Sequence, residues 1–334
     1  MKAMALERPA PIESHPLQRL DMPDPTPGPG QVRIRVHACG VCRTDLHLAE
    51  GELPMRISPL IPGHQVAGVV DRVGGASPLE IAEGDRVGVP WFHSACGRCA
   101  DCLSGRENLC AFASFTGWDV QGGYAQYLLA PEAFTLRLPD GLEDHLAAPL
   151  LCGGIIGYRA LRVSGLQPGE TLALYGFGSS AHICIQIARF WNCSVMVFSR
   201  TAEHASLARE LGASWAGDAR EKPPDRPDRA IIFAPAGWLV PQALGILRPG
   251  GTLALAGIYM DAIPPLDYER HLYREKTLRS VTAATRADAR ELLDLAVRIP
   301  IRTKVTRFAL EDANVALEQL KKGTLSGSAV LDVP

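Results

Sequence analysis

The strongest constraint on the fold is a regular alternation of strand-like and helix-like segments between residues 154 and 285. Short apolar runs are separated by segments long enough to form helices; these runs are TLALYGFG, SVMVFSR, RAIIFAP and GTLALAGI. Strands joined by long crossovers cannot be simple hairpins, so the pattern predicts an α/β domain with a doubly wound parallel sheet. Helices are expected to begin near Ser180 and to extend from Ala202 to Leu211.

The rest of the 334-residue chain predicts a second, β-rich domain, as expected for a length that exceeds one typical domain. Residues 31–38 alternate apolar and polar side chains after the turn-forming TPGPG, which predicts a half-buried strand. VAGVVDRV, DRVGVP and YAQYLLA are further short apolar runs and indicate a small barrel-like sheet. We expect domains at 1–153 and 154–285. A tail of two helices and a strand at 286–334 is expected to return to the first domain.

Charge and hydropathy exclude several classes of partner. Lys and Arg number 34 against 36 Asp and Glu, for a net charge of −2 without long like-charge runs, so nucleic acid is a poor candidate. Two uncharged 18-residue stretches, 171–188 and 230–247, contain polar residues or proline and are expected to be buried rather than membrane-spanning. The N-terminus lacks the apolar run of a signal peptide. We therefore expect a cytoplasmic protein with no membrane partner.

Four of the nine cysteines are tightly clustered in the pattern CxxCxxCx7C within ACGRCADCLSGRENLC. Stable disulfides are not expected in the cytoplasm, so this spacing indicates metal ligation. Four thiolates suit tetrahedral Zn²⁺ and leave no open position, which predicts a structural zinc in a lobe at about residues 93–112. The alternative is four unrelated buried thiols. The predicted ligands are Cys96, Cys99, Cys102 and Cys110.

The segment YGFGSSA, at the end of one predicted strand and the start of a helix, predicts dinucleotide binding. Gly176 permits a tight turn, Gly178 lets the backbone approach a pyrophosphate, and Ala181 permits close helix packing, with Ser179 at the helix N-terminus. The alternative is a merely structural glycine turn.

The tip of the second strand carries Ser199 and Arg200 where an NAD-binding domain usually has an acid for the ribose 2′-hydroxyl. An arginine and a serine favour a 2′-phosphate, so NADP(H) is the preferred cofactor. If Arg200 only stacks on the adenine ring, NAD(H) remains possible.

The chain resembles the zinc-dependent medium-chain alcohol dehydrogenases. The motifs that carry the resemblance run nearly end to end: CGVCRTDLH, PGH, GDRVGVPW, the four-cysteine lobe, GGYAQY, PLLCGGIIGY, YGFGSSA and RELGA. It looks most like the bacterial propanol-preferring or cinnamyl-alcohol-dehydrogenase-like branch. The resemblance implies a discontinuous, GroES-like catalytic domain that encloses a Rossmann domain, with zinc and nicotinamide meeting in the cleft. It also implies a small alcohol or aldehyde substrate, two Zn²⁺ per chain and a homo-oligomer, either dimer or tetramer.

The same resemblance implies a catalytic zinc held by Cys42, His64 and Cys152, with Asp45 orienting the histidine. Two thiolates and one imidazole leave a fourth position open for the reactant, and a carboxylate beside a ligating histidine fixes its tautomer. Cys39 precedes the ligand position in the motif and is assigned no role.

Three neighbours of Cys42 also match functional positions of the family. Thr44 corresponds to a hydroxyl that takes up the alcohol proton and passes it, through cofactor ribose hydroxyls, to His47. Hydride then moves to the nicotinamide. Arg43 corresponds to a pyrophosphate contact. The alternative for His47 is a solvated surface histidine.

Two positions depart from the family pattern. Gln65 follows the ligating histidine where the family usually has Glu, which removes one negative charge near the metal. Ile156 stands four residues after Cys152, where many relatives have Thr near the nicotinamide.

Four aromatic residues fall in segments that line the substrate cleft of similar proteins, which favours a primary, apolar alcohol or aldehyde. Alternatively they belong to the core. Rival functions are a polyol or secondary-alcohol dehydrogenase on the same scaffold, and a zinc-stabilised dinucleotide sensor without turnover. The four pocket candidates are Trp91, Phe92, Phe115 and Trp118.

Overall fold

The computed structural model describes residues 1–75, 81–299 and 301–334. They form two compact units, Met1–Cys152 with Thr285–Val297 and Thr303–Pro334 (unit 1), and Gly153–Ala284 with Arg298–Arg302 (unit 2). The short piece of the tail that joins unit 2 is tied there by Arg302, whose backbone N–H donates to the Gln186 side chain (2.8 Å) and whose carbonyl accepts from it (3.0 Å).

The first part of unit 1 is built mainly from short strands. The strand predicted at residues 31–38 is Gln31–Val41 (β3), three residues longer at its end, so it leads directly into Cys42 and the first helix. Short 3₁₀ turns lie at Ile12–Ser14, Glu107–Leu109, Glu132–Phe134 and Ala148–Leu151. The strands are Lys2–Leu6 (β1), Leu17–Asp21 (β2), Gln31–Val41 (β3), Val66–Val73 (β4), Arg86–Val89 (β5), Phe92–Ser94 (β6), Ser114–Phe115 (β7), Tyr127–Pro131 (β8) and Leu136–Arg137 (β9), and the helices are Arg43–Glu50 (α1), Ala100–Leu103 (α2) and Asp144–Ala147 (α3).

Unit 2 alternates helices and strands. Its described residues form a sheet of six parallel strands, numbered β10 to β15 in chain order with the bounds given below, and their order across the sheet is β12-β11-β10-β13-β14-β15. This is the predicted doubly wound α/β sheet, and the prediction of its class is confirmed. The elements are Gly153–Ser164 (α4), Thr171–Tyr175 (β10), Ser179–Phe190 (α5), Ser194–Phe198 (β11), Ala202–Glu210 (α6), Trp215–Gly217 (β12), Arg229–Ile232 (β13), Leu239–Ile246 (α7), Thr252–Leu255 (β14), Tyr268–His271 (α8) and Thr277–Ser280 (β15).

The strand order of unit 2 reverses between β10 and β13, which places a crevice at the carboxyl ends of these two strands. Both strands have buried, continuous apolar runs, as expected for a sheet covered on both faces. Helices α4 and α5 approach closely because α4 presents glycines there. A Cβ on Gly157 would lie 2.6 Å from the Cys184 Sγ, which requires the absence of a side chain.

The chain then returns to unit 1 through Arg286–Arg298 (α9), Val305–Ala309 (β16), the 3₁₀ turn Leu310–Asp312, Ala313–Lys322 (α10) and Ser328–Asp332 (β17). The main sheet has the order β16-β17-β3-β4-β5-β9, and β8 also pairs with β3. The last strand thus completes the sheet beside the strand that leads to Cys42, with Ala329 opposite Val41.

Across the described ranges, no single helix has the length and hydropathy needed to cross a bilayer. One bent pair of helical segments, Asp144–Leu151 with Gly153–Ser164, reaches that length and apolar composition when the two are taken together.

Candidate metal and dinucleotide sites

Three side chains that are far apart in sequence meet in unit 1. Cys42 caps the start of α1, His64 precedes β4, and Cys152 follows the 3₁₀ turn Ala148–Leu151. One ligand atom from each lies within 4.8 Å of the others. The His64 imidazole is fully buried, and its Nε2 has no hydrogen-bond partner among the residues that the structure describes. A buried nitrogen without a partner is costly unless a ligand satisfies it, and two sulfurs with one imidazole are a donor set that Zn²⁺ prefers.

Asp45 orients this histidine from the first turn of α1. Its Oδ1 accepts a hydrogen bond from His64 Nδ1 at 3.1 Å and from the Gly63 N–H at 3.0 Å. Its Oδ2 accepts from the Cys42 N–H at 2.9 Å. Because the carboxylate engages Nδ1, the lone pair of Nε2 is the one left for a metal.

The pKa values of Cys42, Cys152 and His64 are all shifted by their mutual contacts, and those of Cys152 and His64 also by Asp45. A hydrogen bond from the Cys152 thiol holds the pKa of Cys42 well below its usual range, against the opposing effect of burial, and the same contact raises the pKa of Cys152. Burial lowers the pKa of His64, but the Asp45 carboxylate, together with the nearby Cys42 sulfur, outweighs burial and raises that pKa to about 10. Binding of a divalent cation at these three side chains would therefore displace protons.

The other residues predicted from the CGVCRTDLH segment lie along α1. Thr44 is buried and its Oγ1 is 3.8 Å from the Cys42 Sγ. His47 is nearly buried and its Nδ1 pairs with the carboxylate of Glu52, which is about half exposed. Arg43 is exposed, with its guanidinium 3.4 Å from the Leu320 carbonyl. The sequence reasoning missed Glu52, although it follows His47 by five residues.

An aromatic cluster lies against His64. The ring of Trp91 is edge-on to His64, with centroids 4.8 Å apart, and it stacks on Phe115 (4.9 Å) and Trp118 (5.9 Å). On Trp118 the guanidinium of Arg56 lies 3.6 Å from the ring centroid.

The fourth predicted pocket residue, Phe92, is only 4% exposed and meets Phe134 edge-on, with centroids 5.3 Å apart. Its ring centroid also lies 6.1 Å from that of Phe115, so it supports Phe115 from within the unit.

The two departures from the family pattern are both placed by the structure. Gln65 is 3% exposed and packs against β3, where a Cβ on Gly40 would lie 2.7 Å from its Oε1. Ile156 lies half-buried in the first turns of α4 in unit 2.

The four clustered cysteines also come together, with their Sγ atoms within 4.8 Å of one another; they are Cys96, Cys99, Cys102 and Cys110. Backbone N–H groups donate to the sulfurs, for example from Cys96 to Cys110 and from Cys102 to Cys99, both at 3.5 Å. Such hydrogen bonds from the backbone of Arg98 and Cys99 lower the pKa of Cys96 to about 6. A closed shell of four thiolates is suited to a structural ion.

This lobe is attached to α9 by a partly buried ion pair. Glu107 is 5% exposed, and its Oε1 accepts from the Arg286 backbone N–H at 3.1 Å and from its Nε at 3.2 Å. Arg286 also lies over the ring of Phe134.

The dinucleotide motif occupies the turn from β10 to α5 in unit 2. Gly176 has φ +84°, and a Cβ there would lie 3.1 Å from the Ala234 nitrogen. Gly178 is the N-cap of α5, and a Cβ there would meet nothing within 4 Å. The open space above Gly178, at a helix N-terminus, fits a pyrophosphate. Ser179 begins the helix and Ala181 is fully buried beneath it.

The second strand tip lies beside this turn, since the Gly176 N–H donates to the Phe198 carbonyl at 2.9 Å. Ser199 is half-buried and Arg200 is exposed immediately after β11. Arg200 precedes Thr201, whose side chain caps α6.

Comparison with known proteins assigns both parts of the chain. Residues 28–140 match the alcohol dehydrogenase GroES-like domain family, and residues 181–298 match the zinc-binding dehydrogenase family. The chain is 47% identical over 335 residues to a probable alcohol dehydrogenase AdhA of Mycobacterium tuberculosis, covering 99% of this chain and 97% of the relative.

Solved structures agree in fold. A cinnamyl alcohol dehydrogenase from Sorghum bicolor has a TM-score of 0.91 at 26% identity, covering 99% of this chain and 97% of that one. A cobalt- and zinc-bound thermostable alcohol dehydrogenase from Pyrobaculum aerophilum has a TM-score of 0.89 at 27% identity, covering 99% of each chain.

Proposed function

Since this chain belongs to the zinc-dependent medium-chain alcohol dehydrogenases, we propose that it transfers hydride between a primary, apolar alcohol or aldehyde and NADP(H). The observation that carries the proposal is the convergence of Cys42, His64 and Cys152, with a buried Nε2 that lacks a partner. An aromatic cluster adjoins the same imidazole.

At this site Cys42 and Cys152 would bind zinc as thiolates and His64 through Nε2, which balances the charge of the ion and keeps one position for the reactant. When bound, zinc supplies a Lewis acid that lowers the pKa of an alcohol hydroxyl. Asp45 holds the imidazole in the ligating tautomer. Thr44 would accept the alcohol proton and His47 would take up a proton in turn, with the Glu52 carboxylate balancing the charge that His47 gains.

We assign the second zinc to the four-cysteine lobe, where it links the segments of a short, loop-rich stretch. Its ligands are Cys96, Cys99, Cys102 and Cys110.

For the cofactor, we propose that the pyrophosphate lies above Gly178 at the start of α5, where Gly176 and Ser179 complete the turn and Ala181 allows the helix its close packing. The 2′-phosphate of NADP would be held by Ser199 and Arg200. Arg43, assigned from the family resemblance, remains a predicted pyrophosphate contact.

Trp91, Phe115 and Trp118 favour a substrate with an apolar or aromatic body, because their stacked rings offer flat apolar surface. The relative whose name specifies cinnamyl alcohol supports the same class. A cytoplasmic location and assembly as a dimer or tetramer stay predictions.

A spectrophotometric screen of aldehydes and alcohols with NADPH and NADH in parallel tests this function. We expect turnover of cinnamyl and benzylic substrates, little turnover of polyols, and a preference for NADPH. A preference for polyols or secondary alcohols would replace the substrate assignment.

Metal analysis completes the test, with two zinc ions expected per chain and one fewer in Cys42→Ser. A protein with one zinc and no hydride transfer would be the non-catalytic sensor instead.

A further inference from the structure

We propose that Tyr124 is a positioning residue for the catalytic metal site, because its hydroxyl holds the Asp45 carboxylate that orients the ligand His64. The inference rests on the proposed function, since it concerns zinc held by Cys42, His64 and Cys152. It also gives a role to the GGYAQY motif, which neither the zinc ligands nor the cofactor turn explain.

The hydroxyl completes the coordination of one carboxylate by four donors. Tyr124 Oη donates to Asp45 Oδ2 at 3.2 Å, and both side chains are fully buried. Oδ2 also accepts from the Cys42 N–H, while Oδ1 accepts from Gly63 and His64. With two donors on each oxygen, the carboxylate is restrained on both sides. Removing the phenol leaves Oδ2 with one buried donor fewer, and hydrogen bonds to ionised groups are among the stronger ones.

Backbone hydrogen bonds join the segment that contains Tyr124 to the segment that precedes His64. The N–H groups of residues 122–124 donate to the carbonyls of Ile61, Gly63 and Pro62, at 2.7, 2.8 and 3.0 Å respectively. A glycine directly before His64 permits this approach: Gly63 has φ +95°, and a Cβ there would lie 2.4 Å from the Tyr124 ring. The PGH and GGY motifs are therefore two halves of one arrangement, in which ring and hydroxyl fix the position of the ligating imidazole.

The phenol acts on metal retention rather than on substrate, because it contacts the carboxylate and no reacting group. Loss of an outer-shell partner typically costs 10–100-fold in metal affinity. Tyr124 is one contact further from the metal than Asp45, so we expect a smaller effect, of about 3–10-fold.

The test is Tyr124→Phe in the zinc-loaded full-length protein, with release of each ion to a colorimetric chelator followed in time. We expect release from the Cys42 site to be about 3–10-fold faster, with release from the four-cysteine site unchanged. The ion of the four-cysteine site is an internal control for the integrity of the fold. Tyr127→Phe is the matched control, since Tyr127 belongs to the same motif but its ring lies under the Arg33 guanidinium.

A double-mutant cycle with Asp45→Asn locates the effect. If the hydroxyl works through the carboxylate, Tyr124→Phe adds less than about 2-fold to the release rate once Asp45 is replaced. Full additivity would overturn the inference.

Unchanged release in Tyr124→Phe, or equal acceleration at both zinc sites, would also overturn it. Failure of the proposed function is distinguishable, because wild-type protein would then carry no ion that Cys42→Ser removes.

Discussion

The indole of Trp91 meets the imidazole of His64 edge-on, with the ring planes at 71°. The same indole stacks on Phe115 with an interplanar angle of 20°. Edge-to-face and offset-stacked pairs are both favourable arrangements of aromatic rings. One side chain thus contacts the proposed zinc ligand and anchors the aromatic cluster, so we expect substrate selectivity to depend on a residue that lies beside the proposed metal site.

Replacing Trp91 with Leu is therefore expected to reduce kcat/KM for cinnamyl alcohol by about 5-fold, since a lost aromatic contact is worth ~0.5–1.5 kcal/mol. Ethanol offers no ring to stack and should change by less than about 2-fold. Steady-state kinetics with both alcohols measure the difference, and Trp238→Leu, at a partly exposed tryptophan of unit 2, is the control. An equal loss for both alcohols would contradict a role in selectivity.

Arg200→Asp is expected to reverse the cofactor preference. The substitution places a carboxylate after β11, which repels a 2′-phosphate and accepts a hydrogen bond from a ribose 2′-hydroxyl. The ratio of kcat/KM for NADPH over NADH should fall by about 10-fold or more, as expected for loss of ~1.4 kcal/mol of charge-assisted contact. Arg290→Asp makes the same charge change on α9 and should leave the ratio as it is. If the ratio of kcat/KM for NADPH over NADH is unchanged in Arg200→Asp, Arg200 does not recognise the 2′-phosphate and only stacks on the adenine ring.

Gln65→Glu is expected to shift the pH optimum of alcohol oxidation upward. The side chain is buried and follows His64, the proposed ligand, so a carboxylate there would add negative charge close to the proposed metal site and oppose ionisation of the alcohol. Profiles of kcat/KM against pH for the two proteins measure the shift. Gln126→Glu, farther along the chain in the GGYAQY motif, adds the same charge and serves as the control. Identical profiles for Gln65→Glu and wild type would contradict an effect of residue 65 on ionisation of the alcohol.

Much of the fold follows from local pattern, whereas element ends and several contacts depend on distant partners. The apolar runs identified β4, β10 and β11 because those strands are buried. β3 continues past Ala38 because β17, nearly the whole chain away, extends its ladder to Val41. The edge strands β12 and β15 are short and partly exposed, so they carry too weak an apolar signal to be predicted.

The candidate site shows the same division. The spacing of Cys96 to Cys110 predicts a metal cluster directly, because its ligands are local in sequence. Cys42, His64 and Cys152 required the family resemblance, since the fold alone brings them together. The hydroxyl of Tyr124 and the carboxylate of Glu52 were not predicted, because each is identified by the atom it contacts and not by a pattern of its own.

His93 provides a test of acid sensitivity in unit 1. It is 8% exposed, and its Nδ1 has no hydrogen-bond partner in the described part of the chain. Burial lowers its pKa to about 4, with the Asp119 carboxylate opposing the shift. The unfolded chain binds a proton near the ordinary pKa of ~6.5, so the free energy of unfolding is unaffected above that pH and falls as pH drops toward 4. Below pH 4 both states are protonated and the loss stops growing.

Between pH 7 and pH 4.5, the free energy of unfolding of the wild-type protein is expected to fall by about 2 kcal/mol more than that of His93→Gln, because the variant has no group to titrate at this position. Guanidinium unfolding of zinc-depleted wild type and variant at the two pH values measures it, with metal release removed as a common cause. His15→Gln, at an exposed histidine, should show the wild-type loss. If wild type and His93→Gln lose equal stability, the buried imidazole does not set the acid limit, and the carboxylates of the unit must account for it.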